Sequence, residues 1–146
     1  MKKLILGIFT ALTLTGAMAA GSADWLTDFP KAQAQAKAEK KLLLLDFTGS
    51  DWCPPCKALA KNVFAKPEFA AYAQTNLVLV EVDFPNSKPQ SAELKKANEA
   101  LQEKFKIESY PTVIVLDAEG KQLYRKSGYG GTTVKDYIAE LEKLKK

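Results

Sequence analysis

Histidine is absent from this chain of 146 residues, and cysteine occurs only twice, at Cys53 and Cys56. Without histidine, the chain cannot form a Cys–His nucleophile. Two cysteines cannot on their own close a structural zinc site, and there is no haem-attachment motif because Lys57 follows Cys56. The chemistry left to the pair is thiol–disulfide exchange, a structural bridge, or binding of a thiophilic ion such as Cu(I).

A strong charge of one sign is also missing. The net charge is +4, and it falls to +2 if Lys2 and Lys3 are removed with a cleaved leader. The lysines of the second half are interspersed with glutamates, a pattern typical of a solvated surface. This weak bias does not indicate nucleic acid or an anionic membrane as a partner.

Long apolar runs are lacking too, and the run near the N-terminus is too short for a spanning helix, which needs about 20 residues. That run, residues 4–14, follows two lysines and precedes Ala17-Met18-Ala19. A positive start, a short apolar stretch and an A-x-A site are typical of a secretory signal peptide. We therefore predict a signal peptide over residues 1–19, with a retained signal anchor as the alternative.

We expect the remaining residues, 20–146, to form one domain with no stable membrane insertion after cleavage. The length suits one domain, and 47% hydrophobic residues are enough to build a core. The signal peptide places this domain in the periplasm or the medium, where disulfides form and persist.

Hydrophobic patterning predicts alternating strands and helices. The predicted strands are Leu42–Phe47, Leu77–Val82, Thr112–Leu116 and Leu123–Lys126. The predicted helices are residues 31–40 after an Asp28 cap, a helix from Cys53 that Pro67 ends or kinks, a helix from Ser91, and a final helix capped by Thr133. A further helical turn or two is predicted after Pro67, from Phe69, Tyr72 and Ala73. This alternation favours an α/β layer fold, and the hairpin formed by the last two strands makes its sheet mixed.

The two cysteines lie at the junction between the first predicted strand and a helix. Residues three apart on a helix share one face, so a Cys53–Cys56 disulfide is within reach. Cys53 sits at the helix start, where unpaired amides and the macrodipole stabilise a thiolate, the form that attacks disulfides. Pro54 and Pro55 lack N–H groups, so the main-chain donors offered to the Cys53 sulfur narrow to the Cys56 amide and those just beyond.

This placement predicts a redox-active pair, in which Cys53 attacks a partner and Cys56 resolves the mixed disulfide. A purely structural bridge is the alternative. A disulfide that closes so short a loop stabilises by only about 2 kcal/mol, so the redox interpretation is favoured.

The motif Trp52-Cys53-Pro54-Pro55-Cys56-Lys57 after a strand, with Tyr110-Pro111-Thr112 opening a later strand, resembles the thioredoxin superfamily. The resemblance runs from about Lys41 to Gly128. Through the segment from Phe47 to Cys53, it is most similar to secreted bacterial thioredoxin-like proteins related to the thioredoxin domains of thiol–disulfide interchange proteins. It implies a central mixed four-stranded sheet, in the order 2-1-3-4 when these strands are numbered along the chain. Helices flank the sheet, an extra helix precedes it, and no cofactor is implied.

The resemblance also implies roles at matching positions. Cys53 would be the exposed nucleophile and Cys56 the buried resolving thiol of a redox-active disulfide. The implied substrate-binding residues are Trp52 as a shield over the thiols, Tyr110 as a main-chain contact for an extended peptide, Pro111 as a cis-proline facing the pair, and Gly128 as the residue that keeps the groove open. From the residues alone, Pro111 is a strand starter and Gly128 a loop glycine.

Asp46 matches the acidic residue behind the resolving cysteine, which handles its proton. A buried carboxylate has a raised pKa, which suits a base that works near neutrality. The family pattern is disturbed here, because one extra residue separates Asp46 from the cysteines and Leu79 stands where thioredoxin has a lysine. Glu81 is the alternative relay, and a capped or solvated acid at a strand end is the plainer interpretation of Asp46.

The segment from Asp83 to Pro111 is longer than in thioredoxin. The extra residues fall in the loop 84–90 and in the helix that follows. We expect this insertion to extend the surface, because loops tolerate insertions at little cost. A role in the choice of partner is the alternative.

Together these features predict an extracytoplasmic thiol–disulfide oxidoreductase that exchanges a Cys53–Cys56 disulfide with protein thiols and disulfides. The reductase direction is favoured because the motif is closer to thioredoxin than to strong oxidants. In an oxidising compartment this direction needs an electron donor, for which a membrane thiol–disulfide protein is suited. The alternative class is a redox-gated or Cu(I)-binding module without turnover.

Overall fold

The computed structural model describes residues 22–145, which build a sheet of five strands with helices on both faces. The strands are β1 (Trp25–Leu26), β2 (Leu42–Thr48), β3 (Leu77–Asp83), β4 (Thr112–Leu116) and β5 (Gln122–Ser127). Their order is β1-β3-β2-β4-β5. The β1–β3 and β3–β2 pairs are parallel, and the β2–β4 and β4–β5 pairs are antiparallel. The predicted fold is confirmed, since the four predicted strands occur in the predicted order.

The prediction of four strands needs one correction, because β1 adds a fifth at the edge of the sheet. Trp25 pairs with Leu79 and Leu26 with Val80. The Trp25 ring also lies 5.0 Å from the ring of Phe64. A strand of two residues leaves no periodicity to read in the sequence, so its partner on β3 could not be predicted.

Five α-helices and one π-helical segment complete the described chain. They are α1 (Phe29–Glu39), α2 (Pro54–Leu59), the π-helical segment (Ala60–Phe64), α3 (Pro67–Asn76), α4 (Ala92–Lys104) and α5 (Val134–Glu142). The predicted caps Asp28 and Thr133 are confirmed, because their side chains accept hydrogen bonds from the first turns of α1 and α5. Ser91, the predicted start of a helix, is the N-cap of α4.

The helix that begins at the cysteines differs from its prediction beyond the first turns. After α2 the hydrogen-bond pattern widens into the π-helical segment. Pro67 does not merely end this helix, because it is the first residue of the ten-residue α3. Lys66, which precedes the proline, is extended at ψ 139°, as the steric restriction before a proline requires.

The central strand β2 is covered on both faces, which explains its continuous apolar run. Leu43, Leu45 and Phe47 face a core completed by α1 and α4. Leu44 faces the second core, formed with α2, the π-helical segment, α3 and α5. Alternation along the strand places Asp46 on this second face. No helix within residues 22–145 is long and apolar enough to cross a bilayer.

Candidate active site

The two cysteines form a disulfide where β2 delivers the chain to α2. Their Cα atoms are 5.3 Å apart, and each residue is only 3% exposed. In the disulfide form Cys53 is therefore as buried as Cys56, and is not the exposed member that the resemblance implies. Cys53 is the N-cap of α2, and its Sγ accepts a hydrogen bond of 3.3 Å from the Cys56 amide. Pro54 and Pro55 occupy the first turn. The Cys56 amide is thus the donor that the helix start gives to this sulfur, as the sequence indicates.

Trp52 covers the approach to the pair. Its side chain is 41% exposed, and its indole Nε1 donates a hydrogen bond of 2.7 Å to the Phe84 carbonyl. The Tyr110 ring packs edge-on against it at 5.9 Å. A side chain at Gly49 would collide with the indole, so glycine is required for the indole to lie in this position.

The turn before β4 reaches the same edge of the sheet. Thr112 pairs with Phe47 near the end of β2, so this register places Pro111 level with Thr48, the last residue of β2. The Tyr110–Pro111 peptide bond is cis. The Gly128 amide donates a hydrogen bond of 2.7 Å to the Pro111 carbonyl. Gly128 has a φ of 78°, a conformation that favours glycine.

The structure therefore brings together the residues that the resemblance assigns to substrate binding. Trp52 contacts Tyr110, and Gly128 contacts Pro111 through the hydrogen bond just described. All four surround the strand ends from which α2 and its disulfide emerge. Their roles in binding are not tested by this geometry and stay predictions.

Asp46 is buried below this edge, with 7% of its surface exposed. Burial, followed by the nearby carboxylates of Glu81 and Asp83, raises the pKa of its carboxyl to about 8. Its Oδ1 atom has no hydrogen-bond partner among the described residues. The interpretation as a solvated strand-end acid is therefore wrong, because the side chain is enclosed.

Asp46 and Glu81 are directly paired across β2 and β3, and both line a cleft of about 230 Å³. Trp25 and Ala60 line it as well. The Ala60 amide donates a hydrogen bond to the Cys56 carbonyl, so one wall of the cleft lies one helical turn after the second cysteine. Burial, followed by the charge of Asp83, raises the pKa of Glu81. The predicted alternative relay thus stands beside Asp46.

Lys126 lies in the same cross-strand row as Asp46, but its ammonium group is paired with Glu140. Lys126 pairs with Val113, the β4 neighbour of Asp46. Its Nζ lies 2.9 Å from a carboxylate oxygen of Glu140. On α5, the buried Tyr137 hydroxyl has no partner within residues 22–145, and burial, first among several causes, raises its pKa well above the usual value.

Three further polar residues beside the site were not predicted. Asp83 accepts hydrogen bonds from the Ser50 amide and hydroxyl at 2.9 and 2.5 Å, and Asp51 accepts several from the loop 84–90. The partners lie more than thirty positions apart in the chain. Only the turn-forming character of Ser50 and Asp51 was visible in the sequence.

A helix-capping CxxC disulfide at the end of a central strand, beside a turn with a cis-proline, defines a protein of the thioredoxin-like class. A family model described as "Thioredoxin-like domain" matches residues 29–145. The chain therefore belongs to the thioredoxin-like domain family, as the motif and the later Tyr-Pro-Thr indicate.

Two curated relatives and one solved structure make the relationship more specific. The chain is 36% identical over 114 residues to the disulfide bond reductase DsbH of Chlamydia pneumoniae, across 78% of this chain and 68% of that protein. It is 34% identical over 136 residues to the thioredoxin-related protein DsbJ of the same organism, across 90% of this chain but only 39% of that protein. The solved structure of a DsbH oxidoreductase superposes with a TM-score of 0.80 at 31% identity, covering 92% of each chain. The chain is thus a homologue of Dsb-type oxidoreductases.

Proposed function

We propose that this protein is a thiol–disulfide oxidoreductase that acts on protein partners outside the cytoplasm, in the reductase direction. The observation that carries the proposal is the Cys53–Cys56 disulfide, with its first sulfur at a helix N-cap and a buried carboxyl on the strand that leads to it. One relative, DsbH, which aligns with 78% of this chain, is described as a disulfide bond reductase, and this description supports the direction.

The exchange has two steps. In the reduced protein, the Cys53 thiolate attacks a disulfide of the partner, forms a mixed disulfide and releases the first partner sulfur as a thiolate. The Cys56 thiolate then attacks the Cys53 sulfur, which closes the protein disulfide and releases the second partner sulfur. Two electrons pass from the protein to the partner in each cycle.

Asp46 is suited to take the proton that Cys56 must lose before the second step. Its carboxyl has a pKa of about 8, so a minor fraction is ionised near neutrality and can act as a base, and the fraction grows as the pH rises. Glu81 lines the same cleft and faces Asp46 across the strand pair. We propose Asp46 as the base and keep Glu81 as the alternative.

Trp52, Tyr110, Pro111 and Gly128 would hold the partner polypeptide in this scheme. Their supporting observation is their common position at the strand ends around the disulfide. An extended segment of the partner would lie along the turn before β4, where main-chain groups are available for hydrogen bonds.

The reductase direction requires a source of electrons, because an oxidising compartment returns the pair to the disulfide. A membrane protein that carries thiols across the bilayer is a donor of the required kind. The location itself rests on the signal sequence predicted over residues 1–19, which lie outside the described residues, and residues 20–146 form the mature domain in this proposal.

Insulin reduction with supplied dithiothreitol tests the activity. The wild-type protein should accelerate precipitation of the insulin B chain, and Cys53→Ser should be no faster than the reductant alone, because the attacking sulfur is gone. A wild type as slow as Cys53→Ser would contradict the enzyme proposal. Tight Cu(I) retention alongside that result would favour the binding module.

Equilibration in glutathione buffers tests the direction. A reduction potential near about −270 mV would support a reductase, and one near about −120 mV would identify an oxidant and contradict the proposed direction.

A further inference from the structure

The loop 84–90, which the sequence suggests is a plain surface extension, is bound to the segment that leads into the disulfide. The Asp51 carboxylate accepts hydrogen bonds from the amides of Asn86, Ser87 and Lys88, at 2.9, 2.6 and 3.0 Å. These bonds, with that from Asn86 first, lower the pKa of Asp51 to about 2. The carboxylate is therefore ionised at any physiological pH, and the three hydrogen bonds that it accepts are charge-assisted.

The loop has a second set of attachments to the same segment. The Phe84 amide donates to the Thr48 carbonyl at 2.9 Å, and the Phe84 carbonyl accepts from the Trp52 indole at 2.7 Å. The Lys88 Nζ donates to the Ser50 hydroxyl at 2.8 Å, and that hydroxyl donates to Asp83. The loop is thus fixed at its start and its middle to residues 48–52.

These attachments place the Phe84 ring in the site. It packs against the Tyr110 ring at 5.3 Å, and Tyr110 in turn packs against Trp52 at 5.9 Å. The three rings form one aromatic surface, which begins at the residue before Cys53. Trp52 is exposed, and Phe84 and Tyr110 are half-buried against the core. Trp52 is one of only two large hydrophobic side chains that are clearly exposed among residues 22–145.

The burial of Cys53 restricts the directions from which a partner can approach its sulfur. Cys53 is 3% exposed, and exchange requires the partner sulfur to reach the Cys53 sulfur directly. A polypeptide that presents its cysteine there must lie against the neighbouring surface, and the aromatic surface adjoins the cysteine directly. Burying an apolar side chain of the partner on these rings would stabilise the encounter.

We propose that the loop 84–88 is a specificity-determining wall of the substrate surface, and that Asp51 is the positioning residue that holds it in place. The preferred occupant is an extended polypeptide with an apolar side chain next to its reacting cysteine. This inference rests on the proposed exchange of disulfides with proteins and identifies which protein substrates are favoured.

Two synthetic peptides separate this role from the chemistry of the thiols. Both carry one cysteine as a mixed disulfide with glutathione, flanked in one by leucine and in the other by serine. Single-turnover reduction by the pre-reduced protein transfers two electrons to the peptide disulfide, which yields the peptide thiol, glutathione and the protein disulfide. Timed alkylation and mass spectrometry give the rate constant and the half-saturating peptide concentration.

The wild type should prefer the leucine peptide, and the preference should appear in the half-saturating concentration. Asp51→Asn and Phe84→Ala should each reduce the ratio of second-order rate constants, leucine over serine, by about tenfold, because the first frees the loop and the second removes its ring. Phe84→Leu, which keeps an apolar side chain, should retain most of the preference.

Asp117→Asn is the matched control. Asp117 also accepts hydrogen bonds from main-chain amides, those of Glu119 and Lys121 at 3.0 and 2.8 Å, but it holds the turn between β4 and β5. This variant should keep the wild-type ratio.

An unchanged ratio in both Asp51→Asn and Phe84→Ala would overturn the proposal, whether or not the absolute rates fall. So would an equal loss in Asp117→Asn, because a general effect of losing a turn would then explain the result. A wild type that reduces neither peptide would overturn the proposed function itself, and the specificity role with it.

Discussion

Asp46 directly follows a run of leucines in the buried strand β2, and an ionised carboxylate there is costly because it loses its water. Its pKa of about 8 in the folded protein exceeds the usual aspartate value of 3.8. Between these two values the folded state holds a proton that the unfolded state has released. The free energy of unfolding therefore falls as the pH rises through this range and levels off above it.

Asp46→Asn removes this dependence. Relative to the wild type, the free energy of unfolding of the oxidised variant should rise by about 2–5 kcal/mol between about pH 5 and about pH 8. Urea unfolding of both proteins across this range measures the difference. For Asp117→Asn, at the distant turn, the difference in free energy of unfolding from the wild type should not change with pH. The same result for Asp46→Asn would mean that Asp46 is already ionised in the folded protein.

The same substitution has a kinetic consequence at the residue scale. If Asp46 is the base for Cys56, the second step of exchange should lose its increase toward about pH 8 in Asp46→Asn, whereas the attack by Cys53 is unaffected. The charges that raise the pKa of Asp46 come from β3, as Glu81 and Asp83, and Lys126 on β5 is paired with Glu140. This distribution leaves the carboxyl without the lysine that the family pattern supplies.

At the scale of elements, β1 contributes more than its two residues suggest. It extends the sheet beside β3, and Trp25 both packs on Phe64 and lines the cleft to Asp46. The aromatic pair adds to the apolar area that the indole buries.

Trp25→Ala should lower the free energy of unfolding by about 2–3 kcal/mol, because it leaves a gap beside Phe64. It should also lower the pKa of Asp46 toward the ordinary value, since water gains access through the cleft. Chemical denaturation measures the first effect, and the carboxyl ¹³C shift of Asp46 the second. Trp25→Phe keeps a ring at the position and should be milder in both, and equal effects of the two variants would contradict the packing explanation.

Elements with local signals were predictable, and those that depend on distant contacts were not. The capped helices and the strands β2 to β5 have caps or apolar runs of their own, so their positions follow from neighbouring residues. The position of β1 depends on the edge of β3, which lies more than fifty positions away in the chain. The attachment of the loop 84–90 depends on the Asp51 carboxylate, which belongs to another turn. The cysteine pair was visible because both members lie within one helical turn, whereas the enclosure of Asp46 required the folded sheet.

At the scale of the whole molecule, the site is assembled from strand ends that are far apart in sequence and exposed at one edge of the sheet. A partner that reaches the disulfide therefore meets the loop, the turn before β4 and the residue after β5 together. The partner can be identified by trapping the mixed disulfide that it forms with Cys53.

Cys56→Ala, expressed as the full chain in a bacterial host, should accumulate mixed disulfides through Cys53, because the resolving sulfur is missing. The complexes should be released by osmotic shock, on a chain that begins near Ala20. Mass spectrometry identifies the trapped proteins and the N-terminus. Cys53→Ser with Cys56→Ala is the control without either sulfur. Trapped complexes confined to the cytoplasm, with residues 1–19 intact, would contradict the proposed location.

The sequence has only two tryptophans, and one lies beside the disulfide and the other beside the buried carboxyl. Trp52 directly precedes the disulfide, and Trp25 lines the carboxyl cleft. Disulfides and protonated carboxyls both quench indole emission. The emission of the Trp52 indole should therefore report the redox state of the two cysteines. The emission of the Trp25 indole should report the protonation state of the carboxyls that line the cleft. Trp25→Phe and Trp52→Phe each leave a single emitting indole with which one of these events can be followed alone.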